Sequence, residues 1–163
     1  MAGLARVPMG MDFHILGPLE VLDAGGAIAL GGNKQRALLA LLLLHANETL
    51  STDRLIDELW GERPPANAAK TVQMQISRLR KALAGEAGNG SAGVVVTRER
   101  GYELRLDPER LDAHRFEQLV AEGRSELAGG HPERAVSALE RALSLWRGAP
   151  LAEFAYEPFA QRE

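Results

Sequence analysis

The 163-residue sequence contains no cysteine, few aromatic residues and no long apolar run. The absence of cysteine excludes disulfides and thiolate chemistry, and it fits a cytosolic protein. Because aromatic residues make up only 5% of the chain, the core must be built mainly from Leu, Val, Ile and Ala. The longest apolar run, residues 37–44, is far too short to span a bilayer and predicts a buried helix instead.

Catalytic and metal-binding patterns are also missing from the sequence. The four histidines are isolated from one another and from carboxylate clusters, so they do not indicate a zinc site. The segment GGNK at 31–34 lacks the glycine spacing and the Ser or Thr of a phosphate-binding loop. We therefore expect a protein that is not an enzyme and that uses no cofactor or metal.

Charge is distributed unevenly along the chain. The formal net charge is −3, yet residues 1–106 carry 12 basic and 11 acidic residues, whereas residues 107–163 carry 7 basic and 11 acidic ones. The segment at residues 64–85 contains no acid, and its basic residues are Lys70, Arg78, Arg80 and Lys81. Because local charge decides whether a surface attracts phosphate, this segment is a candidate contact with nucleic acid.

Turn residues and hydrophobic periodicity predict short strands, three helices and a hairpin in the first part of the chain. The predicted strands cover residues 13–16, 19–22 and 27–30. The predicted helices cover residues 33–45, 52–60 and 68–84, and the predicted hairpin arms cover residues 94–98 and 102–106. Ser51 is the expected N-cap of the second helix. A glycine-rich stretch at residues 85–93 predicts a flexible loop before the hairpin.

The third predicted helix has two chemically different faces. The buried stripe is expected to be Val72, Ile76, Leu79 and Leu83. The opposite face is basic and free of acid, which fits the major groove of B-DNA. A short helix before it and a basic hairpin after it are typical of a winged helix-turn-helix. In that arrangement Lys70, Arg78 and Lys81 are candidate phosphate contacts, and Met74, Ser77 and Arg78 are candidate base contacts.

Beyond Asp107-Pro108 the pattern is helical. Two amphipathic helices are predicted at residues 112–127 and 132–146. Small or apolar residues recur at Ala135, Leu139 and Ala142, with Gly123 on the preceding helix, as in a tetratricopeptide-type helix pair. One such pair cannot bury its apolar face alone.

Seven segments carry a resemblance to a known family. They are FHILGPLEV at 13–21, GGNKQRALLALLLLHAN at 31–47, LIDELWGERPP at 55–65, TVQMQISRLRKAL at 71–83, TRERGYEL at 97–104, DAHRFEQLV at 112–120 and ALSLWRGAPL at 142–151. In this order the chain resembles the Streptomyces antibiotic regulatory proteins. These are transcriptional activators of actinobacteria whose N-terminal half is similar to the output domain of response regulators.

The resemblance implies an α+β winged helix-turn-helix followed by an all-α, tetratricopeptide-like segment. Its N-terminal sheet would have four strands, of which we place three. We expect a disordered leader at 1–11, the DNA-binding domain at 12–106 and the start of a bacterial transcriptional activation domain at 107–163. Because the family's activation domain extends well beyond Glu163, we expect the chain to be truncated or a fragment.

The resemblance also implies a set of DNA contacts. They correspond to Lys70, Met74, Ser77, Arg78 and Lys81 on the third helix, to Thr97, Arg98, Arg100 and Tyr102 on the wing, and to Trp60 at the end of the second helix. Met74 and Ser77 are poor donors, so base readout would come from Arg78 or from DNA shape. Trp60 is equally compatible with an aromatic at the edge of the core, and Tyr102 with a ring packed within the wing.

The implied function is activation of transcription, with secondary-metabolite genes as the expected targets. Since the basic contacts are few, two protomers are expected on direct repeats near promoters. The expected partners are double-stranded DNA and RNA polymerase holoenzyme, in the cytoplasm at the nucleoid and away from any membrane. Two alternatives stay open: a repressor with the same DNA contacts, and a protein-interaction module whose winged helix is only a scaffold.

Overall fold

The structure is a computed structural model that describes residues 10–84 and 94–161. Residues 1–9 of the predicted leader and the predicted flexible loop at 85–93 lie outside the described residues. Met11, the last residue of the predicted leader, packs in the core and is 8% exposed. The leader prediction is therefore wrong at Met11.

The first sheet is antiparallel, with its strands in chain order. Its strands are β1 (Asp12–His14), β2 (Glu20–Asp23) and β3 (Gly26–Ala27). Phe13 pairs with Val21, and both side chains are buried against the helices. Within the described ranges this sheet has three strands, not the four that the resemblance implies. β1 and β3 are also shorter than predicted, and β1 ends at His14 because the amides of Ile15 and Leu16 bind a carboxylate instead of a neighbouring strand.

Three helices form the core of the first part. They are α1 (Asn33–Leu44), α2 (Thr52–Trp60) and α3 (Ala68–Ala84). Residues 37–43 of α1 are all buried, as the apolar run predicts. The predicted N-cap of α2 is confirmed, since the Ser51 hydroxyl accepts a hydrogen bond from the Arg54 amide at 3.1 Å. The helix stops at Gly61, whose φ of 57° lies in the left-handed region.

A second sheet contains the wing. Its strands are β4 (Thr49–Ser51), β5 (Val95–Arg98) and β6 (Gly101–Leu104), in the order β4-β6-β5. The hairpin of β5 and β6 was predicted, whereas β4 was not. The backbones of β4 and β6 approach so closely at Gly101 that an added Cβ would lie 1.8 Å from the carbonyl oxygen of Leu50. This position therefore requires glycine.

The last part of the described chain is helical. Its helices are α4 (Asp112–Ala128), α5 (Pro132–Ser144) and the short α6 (Pro158–Gln161), with single 3-10 turns at Pro108–Arg110 and Ala152–Phe154. The predicted α4–α5 pair is confirmed. A Cβ added at Gly123 would meet the Leu139 side chain at 2.8 Å, so the absent side chain lets the two helices approach. No helix in the described ranges has the length and apolar character needed to cross a bilayer.

The helical part is joined to the first sheet by buried polar bonds. The Asp112 carboxylate, 3% exposed as a residue, accepts hydrogen bonds from the amides of Ile15 at 2.8 Å and Leu16 at 2.9 Å. The amide of Arg147 donates to the Leu16 carbonyl, and that of Leu151 donates to the Ile15 carbonyl. The connector between β1 and β2 is thus bound by Asp112 at the start of the helical segment and by Arg147 and Leu151 near its end.

Glu153 adds a further link between the two parts. Its carboxylate accepts a hydrogen bond from the Leu19 amide at 3.0 Å and pairs with the Arg36 guanidinium at 2.8 Å. Leu151, Phe154 and Phe159 belong to the same buried cluster as the winged-helix core. The fold is therefore a winged helix-turn-helix followed by a helical segment that packs against its first sheet.

Candidate nucleic-acid interface

The exposed face of α3 lies opposite the buried stripe that holds the helix on the core. All four predicted stripe residues are 2% exposed or less: Val72, Ile76, Leu79 and Leu83. All five predicted recognition residues are exposed: Lys70, Met74, Ser77, Arg78 and Lys81. Their spacing of four, three, one and three residues places them along one side of the helix. The face carries no acid, so its charge is wholly positive.

Gln73 is an exposed residue of this face that sequence reasoning missed. It lies one turn before Ser77, beside Met74. A glutamine amide can bind adenine through two hydrogen bonds, which neither Met74 nor Ser77 can do. Its position in the sequence could have identified it, since Gln73 falls outside the apolar stripe and on the same side of the helix as the basic residues.

The connection between α2 and α3 has the form of a helix-turn-helix. Residues 61–67 are exposed throughout and include two consecutive prolines, which prevent the two helices from continuing into one. Trp60 ends α2 half-buried at the edge of the core. The Lys34 ammonium lies 5.4 Å from its ring centroid and donates to the Leu59 carbonyl at the carboxyl end of α2. Positive charge therefore lies beside Trp60, whose half-buried place at the edge of the core is compatible with both of its interpretations.

The wing is fixed to both helices of the motif. The Arg80 guanidinium, on α3, donates to the Val95 carbonyl at 3.0 Å and to the Thr97 hydroxyl at 2.8 Å. The carbonyl of Arg100, in the turn of the hairpin, accepts a hydrogen bond from the Thr52 amide at the start of α2. In the sequence, Arg80 is one of the four basic residues of the acid-free segment at 64–85. In the structure, its side chain connects α3 to the wing.

The predicted wing residues differ in their surroundings. Thr97, Arg98 and Arg100 are exposed, whereas Tyr102 is half-buried and packs against the core. Arg98 is not a free cation, because its Nε donates to the Glu103 carboxylate at 2.6 Å. Simple alternation along the strand predicts Glu103 at the surface, yet the residue is only 9% exposed.

In residues 10–84 and 94–161, no group of three or more His, Asp or Glu residues could hold a metal ion. The arrangement that the structure brings together is instead a basic helix face with a basic hairpin held beside it.

Two family profiles match the chain in series. The profile described as "Transcriptional regulatory protein, C terminal" matches residues 26–104, and the profile described as "Bacterial transcriptional activator domain" matches residues 111–163. The first contains β3 to β6, including the face of α3 and the wing. The second contains α4 to α6.

Similar full-length proteins are transcriptional regulators. The chain is 37% identical over 152 residues to the transcriptional regulatory protein MoaR1 of Mycobacterium tuberculosis, covering 93% of this chain and 49% of that protein. It is 39% identical over 144 residues to the transcriptional regulator RedD of Streptomyces coelicolor, covering 86% of this chain and 40% of RedD. The chain thus spans about half the length, or less, of these two relatives.

A solved structure has the same arrangement of both parts. The structure of Mycobacterium tuberculosis EmbR in complex with a low-affinity phosphopeptide superimposes with a TM-score of 0.88 at 35% identity. The match covers 93% of this chain and 40% of the EmbR chain. The relative placement of the winged helix and the helical segment is therefore shared with EmbR.

Proposed function

Since the chain belongs to the Streptomyces antibiotic regulatory protein family of transcriptional regulators, we propose that it binds specific sites in double-stranded DNA and activates transcription from nearby promoters. The observation that carries this proposal is the exposed, acid-free face of α3, which lies opposite a fully buried stripe and beside a fixed wing. A helix of this kind can enter the major groove without exposing apolar core residues to water.

The polar, basic and methionine side chains exposed on α3 have roles that follow from their chemistry. Lys70 and Lys81, near the two ends of the face, are the phosphate contacts. Arg78 reaches guanine or phosphate, and Gln73 reads adenine through its amide. Met74, at 46% exposure, packs against a thymine methyl, and Ser77 adds a hydrogen bond to either a base or the backbone.

The wing supplies the second set of contacts. Arg98 and Arg100 lie along the minor groove or the adjacent phosphates. Thr97 and Tyr102 lie closer to the core, where they support the hairpin and contact the backbone only at its edge. Trp60, beside the Lys34 ammonium, makes a phosphate contact at the carboxyl end of α2.

The wider function follows the family. Two protomers bind direct repeats near a promoter, because so few basic contacts per protomer give weak binding at physiological salt. RNA polymerase holoenzyme is the proposed partner of the DNA-bound protein, and secondary-metabolite genes are the proposed targets. The protein acts in the cytoplasm on nucleoid DNA, without catalysis and without a cofactor. A repressor would use the same DNA contacts over a promoter.

A second candidate function is favoured by the surface of the α4–α5 pair. Leu127, Val136 and Leu143 are 61%, 54% and 67% exposed, which is unusual for large apolar residues. A protein-interaction module would use this surface and keep the winged helix as a scaffold. The two functions differ in whether the face of α3 is needed.

The deciding experiment is selection of binding fragments from sheared genomic DNA. Wild type is compared with the double variant Arg78→Ala/Lys81→Ala. A matched control, Arg115→Ala/Arg124→Ala, removes the same charge from exposed positions on α4. Wild type and control are expected to enrich a repeated motif upstream of genes, whereas the α3 variant enriches none.

Salt titration of the selected duplex gives a second readout. Each lost phosphate contact lowers the log–log salt slope by about 0.9, so the α3 variant should lose roughly 1.8 and the α4 control almost nothing. If wild type enriches no DNA even at low salt, DNA binding is not the function of this chain. Equal losses in the α3 and α4 variants would mean that net charge, not the α3 face, drives binding.

A further inference from the structure

A buried carboxylate lies on the wing between two arginines. Glu103 pairs with Val96 across the hairpin, so Arg98, two residues along β5, is its diagonal neighbour on the same face of the sheet. The Glu103 side chain is 12% exposed and accepts a hydrogen bond from Arg98 Nε at 2.6 Å. Arg105, two residues further along the chain on that face, has its Nε 3.7 Å from the same carboxylate.

The bond to Glu103 leaves part of the Arg98 guanidinium available. Arginine has five N–H donors, and this bond uses the one on Nε. Among the residues that the structure describes, Arg98 donates a side-chain hydrogen bond to Glu103 only. Its side chain is 41% exposed. Its terminal nitrogens can therefore donate to DNA while the Nε bond restricts the side-chain rotamer.

We propose that Glu103 is a positioning residue for sequence-specific DNA binding, which holds Arg98 in one orientation on the wing. The proposal rests on the proposed function, since it assigns Glu103 a role in the same interface. A restrained arginine loses less conformational freedom on binding than a free one, so correctly placed sites gain affinity. The carboxylate also offsets one positive charge, which weakens attraction to arbitrary phosphates.

The expected consequence is that Glu103 raises the ratio of specific to non-specific affinity. Glu103→Gln keeps the shape of the side chain but removes its charge. Binding to an unrelated duplex should then become tighter, with a salt slope steeper by up to about 0.9, because the freed guanidinium meets phosphate. The affinity ratio between the selected duplex and the unrelated one should fall by about fivefold or more, the lower range for one well-placed base contact.

Glu99 provides a matched control in the same hairpin. It is exposed in the turn four residues before Glu103, and Glu99→Gln removes the same charge without touching the bond to Arg98. Glu99→Gln should tighten binding to both duplexes alike and leave their ratio unchanged. Arg98→Lys keeps the charge of Arg98 but lacks its Nε donor, and it should lower the ratio as Glu103→Gln does.

The test measures the affinity for both duplexes over a salt series. The proteins compared are wild type, the three single variants, Arg98→Ala and the Arg98→Ala/Glu103→Gln double variant. Thermal melting first shows that each of them is folded. The proposal predicts that Glu103→Gln has no further effect on the ratio once Arg98 is alanine. A ratio that changes equally in the Glu99 and Glu103 variants would overturn it, as would an effect that persists without Arg98. Failure of the proposed function is distinguishable, because wild type would then enrich no duplex at low salt, or Arg78→Ala/Lys81→Ala would bind the selected duplex as wild type does.

Discussion

The winged helix and the α4–α5 pair are packed in different ways. The winged helix buries large side chains, and Leu38, Leu42, Leu55, Ile76 and Leu79 are all 1% exposed or less. The helix pair buries small ones: Ala135, Ala138 and Ala142 are 3% exposed or less, and Gly123 lies against Leu139. The winged helix is stabilised by burial of large apolar side chains, whereas the α4–α5 pair depends on the close approach of two helix backbones.

The difference indicates what each region can do with its apolar surface. The winged helix has its apolar residues inside, so its exposed face is free to be polar and basic. The helix pair has too little buried volume to hold its large residues, and it is linked to the first sheet through polar groups such as Asp112 and Glu153. We therefore expect the stability of the winged helix and the packing of the α4–α5 pair to respond to different mutations.

The largest expected effect comes from emptying the core beneath the DNA-binding face. Leu79→Ala removes a side chain with no exposed area and should lower the free energy of unfolding by about 2–5 kcal/mol. Chemical denaturation monitored by circular dichroism measures this change. The matched substitution Leu143→Ala, at a residue 67% exposed, should change it by less than about 0.5 kcal/mol. Similar losses at both sites would show that the two regions are packed alike.

Two glycines allow the second comparison, because each lies at a close approach. An alanine Cβ at Gly101 would meet the Leu50 backbone, which cannot move aside, so Gly101→Ala should cost about 1–3 kcal/mol or more and displace the wing. At Gly123 the obstacle is the flexible, partly exposed Leu139 side chain, and helix propensity favours alanine by about 1 kcal/mol. Gly123→Ala should therefore cost less than Gly101→Ala, because only a side chain has to shift. Thermal unfolding of both variants measures the two losses of stability. A larger loss of stability in Gly123→Ala than in Gly101→Ala would contradict this expectation.

The smallest expected effect concerns the link between the regions. Asp112→Asn removes the charge that accepts three backbone N–H groups, two of them from the β1–β2 connector, and should cost about 1–2 kcal/mol. Asp107→Asn is the control, because Asp107 is exposed and asparagine also caps a helical turn well. We expect Asp112→Asn to increase proteolysis between residues 104 and 112 while DNA binding through α3 is retained. Loss of DNA affinity in this folded variant would show that the regions do not act separately.

Helices were easier to predict from the sequence than strands. The stripe of α3 and the N-cap at Ser51 are local signals, set by residues within one or two turns. The strand β4 has three residues, and its pairing with β6 joins positions about fifty residues apart. No local pattern records such a pairing, and the same holds for the early end of β1, which is set by the distant Asp112.

The candidate site was predictable as a face but not in its details. Exposure of Lys70, Arg78 and Lys81 follows directly from the buried stripe on the other side of the helix. The roles of Arg80 and Glu103 do not, because each depends on a partner across the sheet or on another element. Charge alone cannot distinguish an arginine that is free to meet phosphate from one that holds the wing in place.

The polar bonds of the β1–β2 connector also have a consequence for biosynthesis. Asp112 lies 97 residues after Ile15, and Glu153 lies 134 residues after Leu19. A ribosome adds about 5–20 residues per second, so the first hairpin leaves it on the order of ten seconds before these partners exist. During that interval the amides of the connector can hydrogen-bond to water but not to Asp112 or Glu153. Among the described residues, the β1–β2 connector is therefore the segment whose native hydrogen bonds form latest after its own synthesis.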